Sequence, residues 1–408
     1  MSTPPVVLGF GAAVDREVTW DAVVLGELAR HHGIGPDDLG GVGPIRTERD
    51  LVASILGYLA HGAGGERRVE DPDVITTFCA RFTGVTSLGG TCVRAAAAMQ
   101  RLGQQATVHL SFVDDQVRAL LPPGTGHLVG ESTEPTYPHL ILQYPSGARL
   151  RTDRLDLVAA RANRIIYVND PANERIALSP DLDEAVAGAS VFLVSGLNAL
   201  RTLPDLRSRL ETVERSIEGA RPDALVFYED AGYHELDLAE VARGHLTRLV
   251  DVYSLSDEEL SVVVGRPVDL LDAADVLDAV TVVASAAGVP VLVVHSRHWA
   301  LAVGAAASHV APALATGVAL ATARYAHGST ASAADVDSVR NAPVEEATTR
   351  FVTGLSVLGG ARVACVPVPV VEVEHPTTVG LGDTFVGGFL AECAAAPAIR
   401  TAVSRRAS

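Results

Sequence analysis

The chain has 408 residues and a mass of 42.5 kDa, and it is 48% hydrophobic and 20% charged, a composition typical of a globular protein with more than one folding unit. Its 32 basic and 49 acidic side chains give a net charge of −17, so nucleic acid and anionic membrane surfaces are not expected partners. Every Lys/Arg position is Arg, and the lack of lysine excludes a Walker-type phosphate loop and mechanisms based on a Schiff-base or general-base lysine.

The first predicted element is a short apolar strand at Val6–Phe10. The residues before it carry no basic segment, which does not fit a signal peptide. The four cysteines form no C-x-x-C pair and no zinc-spaced cluster, so reduced thiols are predicted. The longest apolar tracts, Ala279–Val294 and Trp299–Ala323, are interrupted by polar residues, Gly or Pro and favour buried core over a membrane span. We therefore expect a cytoplasmic protein.

Residues 137–152 predict two strands around the turn Pro145-Ser146-Gly147, which is typical of a β-hairpin. We expect this β-rich piece to belong to a small, discontinuous domain of residues 14–81 and 131–169. The large domain would then take residues 1–13, 82–130 and 170–408. The small domain is predicted to be a lid over one edge of the large sheet, with the active site in the cleft between them.

Short aliphatic runs in the second half of the chain alternate with helix-compatible segments. Because these runs are apolar on both faces, they predict strands of a mainly parallel, doubly wound α/β sheet. The runs lie at Val191–Val194, Ala224–Phe227, Leu249–Tyr253 and Val289–Val294. After Pro397 we expect a frayed tail.

The segment Pro376–Leu390 carries the sharpest chemical pattern. Gly380 and Gly382 allow tight backbone geometry, and the apolar spacing that follows predicts a helix whose first N–H groups can bind a phosphoryl group. Asp383 beside these groups is suited to accept the proton of an attacking hydroxyl. The alternative is that Asp383 merely caps the helix.

This motif resembles the signature of the ribokinase-like kinases, and its fuller form, with Pro376, Thr378 and Thr384, looks most like the ADP-dependent glucokinase and phosphofructokinase family. Other segments match this family in the same order: Gly62–Arg67, Gly89-Gly90-Thr91, Ala162–Ile166, Ser195–Asn198 and Val294–Arg297. The resemblance implies a ribokinase-like α/β fold with a small β-rich lid.

The resemblance also implies roles for individual residues. Asp383 would be the catalytic base. The anion hole and nucleotide site would use Thr378, Gly380, Leu381, Gly382 and the phosphate-binding Arg164. The sugar would be bound by Asp15, Glu66, Gly89 and Gly90, although Asp15 taken alone could be a solvated helix cap.

The implied cofactor is Mg²⁺, held by Glu229 and Glu259. In this sequence Phe227 and Ser256 replace a His and an Asn of the family pattern, which changes the groups around these carboxylates. Glu258 and Glu259 could equally be helix N-terminal acids.

The implied function is transfer of a phosphoryl group from ADP, the co-substrate, to a sugar or sugar-like acceptor, giving AMP. Glucose, fructose 6-phosphate and a nucleoside remain open as acceptors, and Arg149, Arg151 and Arg154 could bind a 6-phosphate or simply be solvated. The alternatives are an ATP-dependent kinase of a nucleoside or aminosugar and a non-catalytic kinase-fold binding protein. No sequence feature specifies an oligomeric state.

Overall fold

The computed structural model describes residues 5–41, 43–233, 235–373 and 376–407. Residues 1–4, on which the expectation about a signal peptide rests, lie outside these ranges. The described residues form alternating strands and helices. The strands are β1 (Val6–Leu8), β2 (Ala13–Thr19), β3 (Gly65–Arg68), β4 (Gly84–Gly89), β5 (Thr107–Leu110), β6 (Gly126–Val129), β7 (His139–Tyr144), β8 (Arg149–Arg151), β9 (Asp156–Val158), β10 (Asn163–Val168), β11 (Val191–Val194), β12 (Leu225–Glu229), β13 (Val252–Ser256), β14 (Val291–His295), β15 (Trp299–Gly304) and β16 (Val363–Pro367).

The helices connect these strands, and several begin at a side-chain cap such as Asp21, Thr47 or Ser256. The α-helices are α1 (Ala22–His31), α2 (Glu48–His61), α3 (Pro72–Cys79), α4 (Thr91–Arg101), α5 (Asp115–Leu120), α6 (Pro171–Glu174), α7 (Leu182–Gly188), α8 (Leu203–Glu218), α9 (Leu236–Leu246), α10 (Asp257–Val264), α11 (Ala273–Ala287), α12 (Ala311–His327), α13 (Ala333–Val339), α14 (Glu346–Gly359), α15 (Leu381–Ala395) and α16 (Pro397–Val403). Among the described residues no single helix is long and apolar enough to cross a membrane; α15 and α16 pass that test only as a pair bent by 101°.

The chain divides into two compact units. The larger unit consists of Met1–Ala12, Gly90–Thr133 and Asn173–Ser408, and the smaller unit of Ala13–Gly89 and Glu134–Ala172. Each has its own sheet and its own hydrophobic core.

The larger unit is built on a nine-stranded sheet in the order β16-β15-β14-β13-β12-β11-β1-β5-β6. The strands from β14 to β6 in this order run parallel. Strand β15 is antiparallel to both of its neighbours, so β16 runs in the same direction as β14. Strands β11 and β12 are buried along their whole length, as their continuous apolar sequences predict. The predicted mainly parallel, doubly wound sheet is confirmed.

Alternate side chains of β12 pack against opposite layers of helices. Val226 and Tyr228 share a core with Leu206 of α8. Phe227, between them in sequence, packs against Phe389 of α15 with ring centroids 5.3 Å apart. Phe227, a departure from the family pattern, is therefore a core residue that holds α15 against one face of the sheet.

The smaller unit is built on a five-stranded mixed sheet in the order β3-β10-β7-β2-β4. One face packs against helices, because Leu140 and Leu142 of β7 share a core with Leu51 and Ile55 of α2. Side chains alternate along a strand, so the residues between these project from the other face. That second face carries the polar residues described below.

The predicted hairpin over residues 137–152 is wrong. Its two strands exist as β7 and β8, but β7 pairs with β2 and β10. Strand β8 pairs instead with β9 in a separate two-stranded sheet. Since both edges of β7 are occupied, the turn at Pro145-Ser146-Gly147 leads out of the main sheet rather than back along it.

The predicted domain boundaries differ from the two units by one to three residues at most ends and by eight at residues 82–89. These eight residues were predicted to belong to the large domain, whereas they group with the smaller unit. The reason is that β4 pairs with β2 from Gly84 to Gly89. The lid role of the smaller unit stays a prediction.

The predicted fraying after Pro397 is wrong for the described residues of the tail. Helix α16 covers Pro397–Val403, and the two arginines after it are tethered. Asp251, fully buried, accepts a hydrogen bond from the backbone N–H of Arg405 at 2.8 Å and from the Arg406 guanidinium at 2.6 Å. The tail therefore holds the start of β13.

Candidate active site

The N-terminus of α15 is built around Gly380. Its φ of 68° lies in the left-handed region, and an added Cβ would lie 2.4 Å from a guanidinium nitrogen of Arg94. The Gly380 carbonyl accepts hydrogen bonds from the backbone N–H of Thr384 at 3.0 Å and from its hydroxyl at 2.7 Å. Because the N–H groups of Leu381, Gly382 and Asp383 precede the first intrahelical bond, they are available to an anion.

Asp383 lies in the first turn of α15, and a quarter of its side chain is exposed. The helical residues that follow, from Thr384 to Leu390, are buried. Gly380 is the N-cap residue of this helix, so the alternative that Asp383 is the cap does not hold. Its carboxylate is the accessible acidic group of an otherwise buried segment.

The segment before α15 is held by the end of α12. Arg324 donates a hydrogen bond from Nε to the Val379 carbonyl at 2.8 Å, and the Thr377 N–H donates to the Tyr325 carbonyl at 3.2 Å. Thr378, between them, is half-buried. Four of the five residues predicted for the anion hole and nucleotide site thus lie together in one segment, whereas the fifth, Arg164, lies in β10 of the smaller unit.

Arg94 of α4 is a residue that the sequence analysis missed. Its side chain is only 8% exposed, and its Nε lies 3.8 Å from Oδ2 of Asp383. In sequence it appears only as one polar residue in the Ala-rich helix that follows Gly90. The amphipathic pattern therefore gave no indication that this arginine reaches Asp383.

Glu229 is the last residue of β12, and Glu259 lies in the first turn of α10, directly after the neighbouring strand β13. Burial raises the pKa of Glu259, and the negative charge of Glu229 raises it further, so the two carboxylates are close enough to repel each other. One oxygen of Glu259 also accepts hydrogen bonds from the Ser256 N–H at 2.7 Å and hydroxyl at 2.8 Å. Glu259 is thus a capping-box residue, the alternative that the sequence left open, and Ser256 is its cap.

His295 of β14 connects this acidic pair to α15. Its Nε2 lies 2.9 Å from Oε1 of Glu229, and its ring lies 3.2 Å from where a Cβ on Gly382 would be. Burial lowers the pKa of His295, but the charge of Glu229 outweighs this and raises it overall. Sequence reasoning gave this histidine no role, because a lone histidine at a strand end has no specific pattern.

The acidic pair fits a hydrated Mg²⁺ ion. The second oxygen of Glu229, Oε2, is buried and finds no hydrogen-bond partner among the described residues. A hard cation is a natural partner for such an oxygen. In the described ranges no group of three or more His, Cys, Asp or Glu residues is arranged to hold a metal. A hydrated Mg²⁺ ion is commonly held by one or two carboxylates, with water and substrate phosphates as its other ligands.

A buried polar cluster fixes the strand end that carries Glu229. Asp230, the next residue, is 3% exposed and pairs with Arg243 at 2.6 Å. Its carboxylate also accepts hydrogen bonds from the hydroxyls of Tyr228 at 3.0 Å and Tyr253 at 2.7 Å. Because a buried charge is tolerated only when it is paired and hydrogen-bonded, this cluster holds β12 and β13 in one geometry.

In the smaller unit, Asp15 of β2 is buried against Gly89 of β4. A Cβ on Gly89 would lie 2.2 Å from a carboxylate oxygen of Asp15, so any other residue at position 89 would displace this carboxylate. Asp15 also lies near His139 of β7, whose Nδ1 is 3.5 Å from the Asp15 carboxylate and whose Nε2 is 2.9 Å from that of Asp170. Burial lowers the pKa of His139, but Asp170, Asp15 and Glu66 outweigh it and raise the pKa to about 9.

The register of the sheet brings the predicted sugar residues of this unit to one face. Asp15 is paired with His139, Gln143 with Arg164, and Ile166 with Glu66. Paired residues share a face and alternate along each strand, so Asp15, Glu66 and Arg164 all project from the polar face. His139 was not predicted, because its place beside Asp15 follows from strand pairing alone.

Gly90 lies directly before α4 in the larger unit. Its φ of 95° again requires glycine, and a Cβ there would lie 3.1 Å from the Gly11 carbonyl. Both glycines of the predicted pair Gly89-Gly90 are therefore constrained, Gly89 by the nearby Asp15 carboxylate and Gly90 by its backbone angle. The second glycine allows the chain to turn into α4.

The three arginines considered for a 6-phosphate do not lie on the polar face. Arg149 and Arg151 are exposed residues of β8, and Arg149 forms an ion pair with Asp156 at 2.7 Å. Arg154 donates a hydrogen bond to the Gly33 carbonyl at 2.6 Å. Their arrangement is that of a solvated surface.

The fold is shared with solved sugar and nucleoside kinases. A phosphofructokinase from Pyrococcus horikoshii, solved with AMP, is 18% identical over 96% of this chain and 98% of its own, with a TM-score of 0.74. An ADP-dependent kinase in complex with fructose-6-phosphate and ADPβS is 15% identical over 96% of this chain and 94% of its own, with a TM-score of 0.73. Adenosine kinase from Sinorhizobium meliloti is 14% identical over 99% of this chain and 92% of its own, with a TM-score of 0.53. The ribokinase-like fold is confirmed.

Comparison with curated protein sequences gave no match. The family model for the ADP-specific phosphofructokinase/glucokinase conserved region, in contrast, matches residues 4–391. The protein therefore belongs to the ADP-specific phosphofructokinase/glucokinase family, whose members are sugar kinases and hence transferases.

Proposed function

We propose that this protein transfers the β-phosphoryl group of ADP to a hydroxyl of a sugar or sugar-like acceptor and releases AMP. The observation that carries the proposal is the accessible carboxylate of Asp383 in the first turn of α15, beside N–H groups that can bind an anion. Family membership supports the donor and the class of acceptor. The solved relative with fructose-6-phosphate and ADPβS is an example of this pair of ligands.

Each residue of the α15 site has a defined role in the proposed transfer step. The acceptor hydroxyl oxygen bonds to the β-phosphorus, and its proton passes to Asp383. The bond between that phosphorus and the bridging oxygen breaks, and its electron pair leaves on AMP. The N–H groups of Leu381, Gly382 and Asp383 neutralise the phosphoryl oxygens during transfer, with Thr378 and Gly380 shaping the segment around them.

Glu229 and Glu259 would hold hydrated Mg²⁺, which supplies positive charge to the phosphates of ADP. His295 fixes one oxygen of Glu229 and leaves Oε2 for the ion. The capping bonds of Ser256 orient Glu259 in the same way. These positions thus remain suited to the metal without the His and Asn of the family pattern.

The polar face of the smaller unit would bind the acceptor. Asp15 and Glu66 can accept hydrogen bonds from hydroxyl groups, and Arg164 can donate to phosphate oxygens. Gly89 keeps the Asp15 carboxylate in place, and Gly90 sets the start of α4. The face thus offers partners to both hydroxyl groups and phosphate oxygens, so a sugar and a sugar phosphate both remain open as acceptors.

The test is phosphoryl transfer by purified protein with Mg²⁺, using ADP, ATP and other nucleotides against sugars, sugar phosphates and nucleosides. We expect acceptor-dependent AMP formation from ADP. In Asp383→Asn, kcat should fall by about 10³-fold, because general-base catalysis contributes roughly 10²–10⁴-fold. Binding of ADP, measured by calorimetry, should persist.

A matched control is Asp205→Asn, which removes a first-turn carboxylate from α8, at its N-terminus rather than that of α15. It should leave kcat unchanged. If the protein phosphorylates an acceptor with ATP but not with ADP, it is an ATP-dependent kinase, the alternative given above. Binding of nucleotide or sugar without any transfer would favour a non-catalytic binding protein.

A further inference from the structure

Two buried oxygen atoms on neighbouring strands of the larger unit have no hydrogen-bond partner among the described residues. They are Oε2 of Glu229, at the end of β12, and Oγ of Ser254, in β13. Glu229 is 7% exposed and Ser254 is 0% exposed. Because buried polar groups are almost always hydrogen-bonded, an exception calls for a specific explanation. Two exceptions on neighbouring strands indicate that both oxygens bind a ligand.

The register of the sheet places these two residues side by side. Glu229 is paired with Ser254 in the parallel ladder of β12 and β13. Residues paired in this way lie roughly 5 Å apart and project from the same face of the sheet. Phe227, which shares this face with Glu229, packs against α15, whereas Tyr228 and Tyr253 pack in the core on the opposite face. The Ser254 hydroxyl and the Glu229 carboxylate therefore both lie on the α15 side of the sheet.

The polar groups around this pair bind other atoms. His295 Nε2 lies 2.9 Å from Oε1, the other oxygen of Glu229. Ser256, which is paired with His295 in the ladder of β13 and β14, donates its hydroxyl proton to Glu259 at 2.8 Å. In the parts of the chain that the structure describes, Oε2 of Glu229 and Oγ of Ser254 are thus the oxygens that remain for a ligand from outside the chain.

A serine hydroxyl is chemically suited to the ion that these carboxylates fit. Mg²⁺ takes oxygen ligands, and in phosphate-binding loops it is bound by a Ser or Thr hydroxyl. The hydroxyl oxygen has two lone pairs, so it can bind a cation without losing its proton. Packing alone does not explain Ser254, because a buried hydroxyl without a partner destabilises a fold and alanine at the same position does not.

Building on the proposed function, we propose that the hydroxyl oxygen of Ser254 is a direct ligand of the Mg²⁺ ion that Glu229 and Glu259 hold. The protein then supplies oxygens from β12, β13 and the first turn of α10. Water and the phosphates of ADP supply the remaining ligands. The proposal explains why the chain keeps a hydroxyl at a fully buried position of β13.

The test measures binding of Mn²⁺, a paramagnetic substitute that prefers the same oxygen ligands, to purified protein with ADP present and the acceptor absent. In Ser254→Ala we expect the Kd of Mn²⁺ to rise by about tenfold, a loss within the range seen when a metal site loses a supporting group. Water proton relaxation should also report one more water on the bound Mn²⁺, because water takes the place of the hydroxyl. Unchanged affinity or an unchanged number of waters would overturn the proposal.

Thermal unfolding of the metal-free protein gives a second readout. Ser254→Ala removes a buried hydroxyl that has no partner, so its Tm should rise by about 1–3 °C although metal binding weakens. Opposite effects on stability and on metal affinity are expected when a residue is kept for function at the expense of the fold. A lower Tm would show that the hydroxyl supports the fold itself and would overturn the proposal.

Ser254→Cys tests for direct contact with the ion. A soft sulfur ligand favours Zn²⁺, whereas Mg²⁺ prefers oxygen, so the ratio of Zn²⁺ to Mg²⁺ affinity should rise by tenfold or more over that of the unmodified protein. Calorimetry with each metal in the presence of ADP measures this ratio. If the variant binds both metals more weakly by the same factor, position 254 does not contact the ion and the proposal is overturned.

The matched control is Ser190→Ala. Ser190 is also fully buried in the larger unit, but its hydroxyl donates a hydrogen bond to the Pro5 carbonyl at 3.2 Å. This variant should have a lower Tm, because a hydrogen bond is lost, and unchanged Mn²⁺ binding. Equal effects of Ser190→Ala and Ser254→Ala on Mn²⁺ binding would overturn the proposal.

Metal binding does not require turnover, so this proposal and the proposed function can fail separately. If Mn²⁺ binding depends on Ser254 but no phosphoryl group is transferred from ADP, only the proposed function fails. If transfer occurs and Ser254→Ala binds Mn²⁺ like the unmodified protein, only the role of Ser254 fails. If the unmodified protein with ADP binds no Mn²⁺, the role of Ser254 is overturned as well.

Discussion

The two units of this kinase build their candidate sites by different means. In the larger unit, consecutive residues from Thr378 to Asp383 form the site through the backbone of one helix end. In the smaller unit, Asp15, Glu66 and His139 come from three strands and meet only through the pairing of those strands. A site formed by the backbone of one segment can be recognised from that stretch of sequence. A site formed by strand pairing can be recognised only when the pairing of the whole sheet is known.

The strongest test of the backbone-built site is Gly380→Ala. The added Cβ would strain a φ of 68° and collide with Arg94. We expect kcat to fall by roughly 10²-fold or more, because the anion-binding amides and the arginine are both displaced. Steady-state kinetics measures this.

Its matched control is Gly288→Ala, which has a similar φ of 61° but no heavy atom within 4 Å of the added Cβ. It should cost a similar ~1–2 kcal/mol of backbone strain without affecting kcat. Equal losses of activity in the two variants would mean that strain, and not the site, explains the effect. The backbone-built site would then lose its support.

The register-built site is tested through the charge of His139. Its pKa is raised from 6.5 to about 9 in the folded protein, so its stabilising effect is complete below pH 6.5 and is lost as the pH rises through about 9. His139→Gln should therefore destabilise the smaller unit by up to ~3 kcal/mol at pH 6 and by much less above pH 9. Denaturant titrations at several pH values measure the difference.

The control is His127→Gln, which replaces an exposed histidine of β6. The free energy of unfolding of this variant should equal that of the unmodified protein at every pH. A constant difference between His139→Gln and the unmodified protein across this range would show that His139 acts by packing alone. The carboxylates around it would then not depend on its charge.

The smallest expected effect is that of Gly89→Ala. Its Cβ would displace the Asp15 carboxylate, which is the flexible end of a side chain and can move at modest cost. We expect the KM of the acceptor to rise by about tenfold while the KM of ADP stays within twofold, consistent with loss of about one hydrogen bond to a charged group. Gly40→Ala, with no heavy atom within 4 Å of its added Cβ, is the control.

The sequence was sufficient to predict the features that depend on local pattern. The buried strands β11 and β12 follow from continuous apolar runs, and α15 follows from Gly380 and the apolar spacing after it. The family match extends these local predictions to the fold. In each case neighbouring residues in sequence carry the information.

The features that were missed depend on long-range contacts. Local turn chemistry indicated a hairpin at Pro145-Ser146-Gly147, but competition from β2 and β10 for the edges of β7 decided the pairing. Arg94 reaches Asp383 across a large sequence separation, so no local pattern reveals the contact. The same holds for the anchoring of Arg405 and Arg406 on Asp251, which ended the expectation of a loose tail.

That anchored tail has a consequence for synthesis of the protein on the ribosome. The smaller unit is complete once residue 172 has emerged, so it can fold early. The larger unit begins with β1, yet it receives α15 only at residues 381–395 and the ion pair of Asp251 only at Arg406. We therefore expect the larger unit to mature only after Arg406 has emerged from the ribosome, and a bulky fusion placed directly after Arg406 to delay this last step.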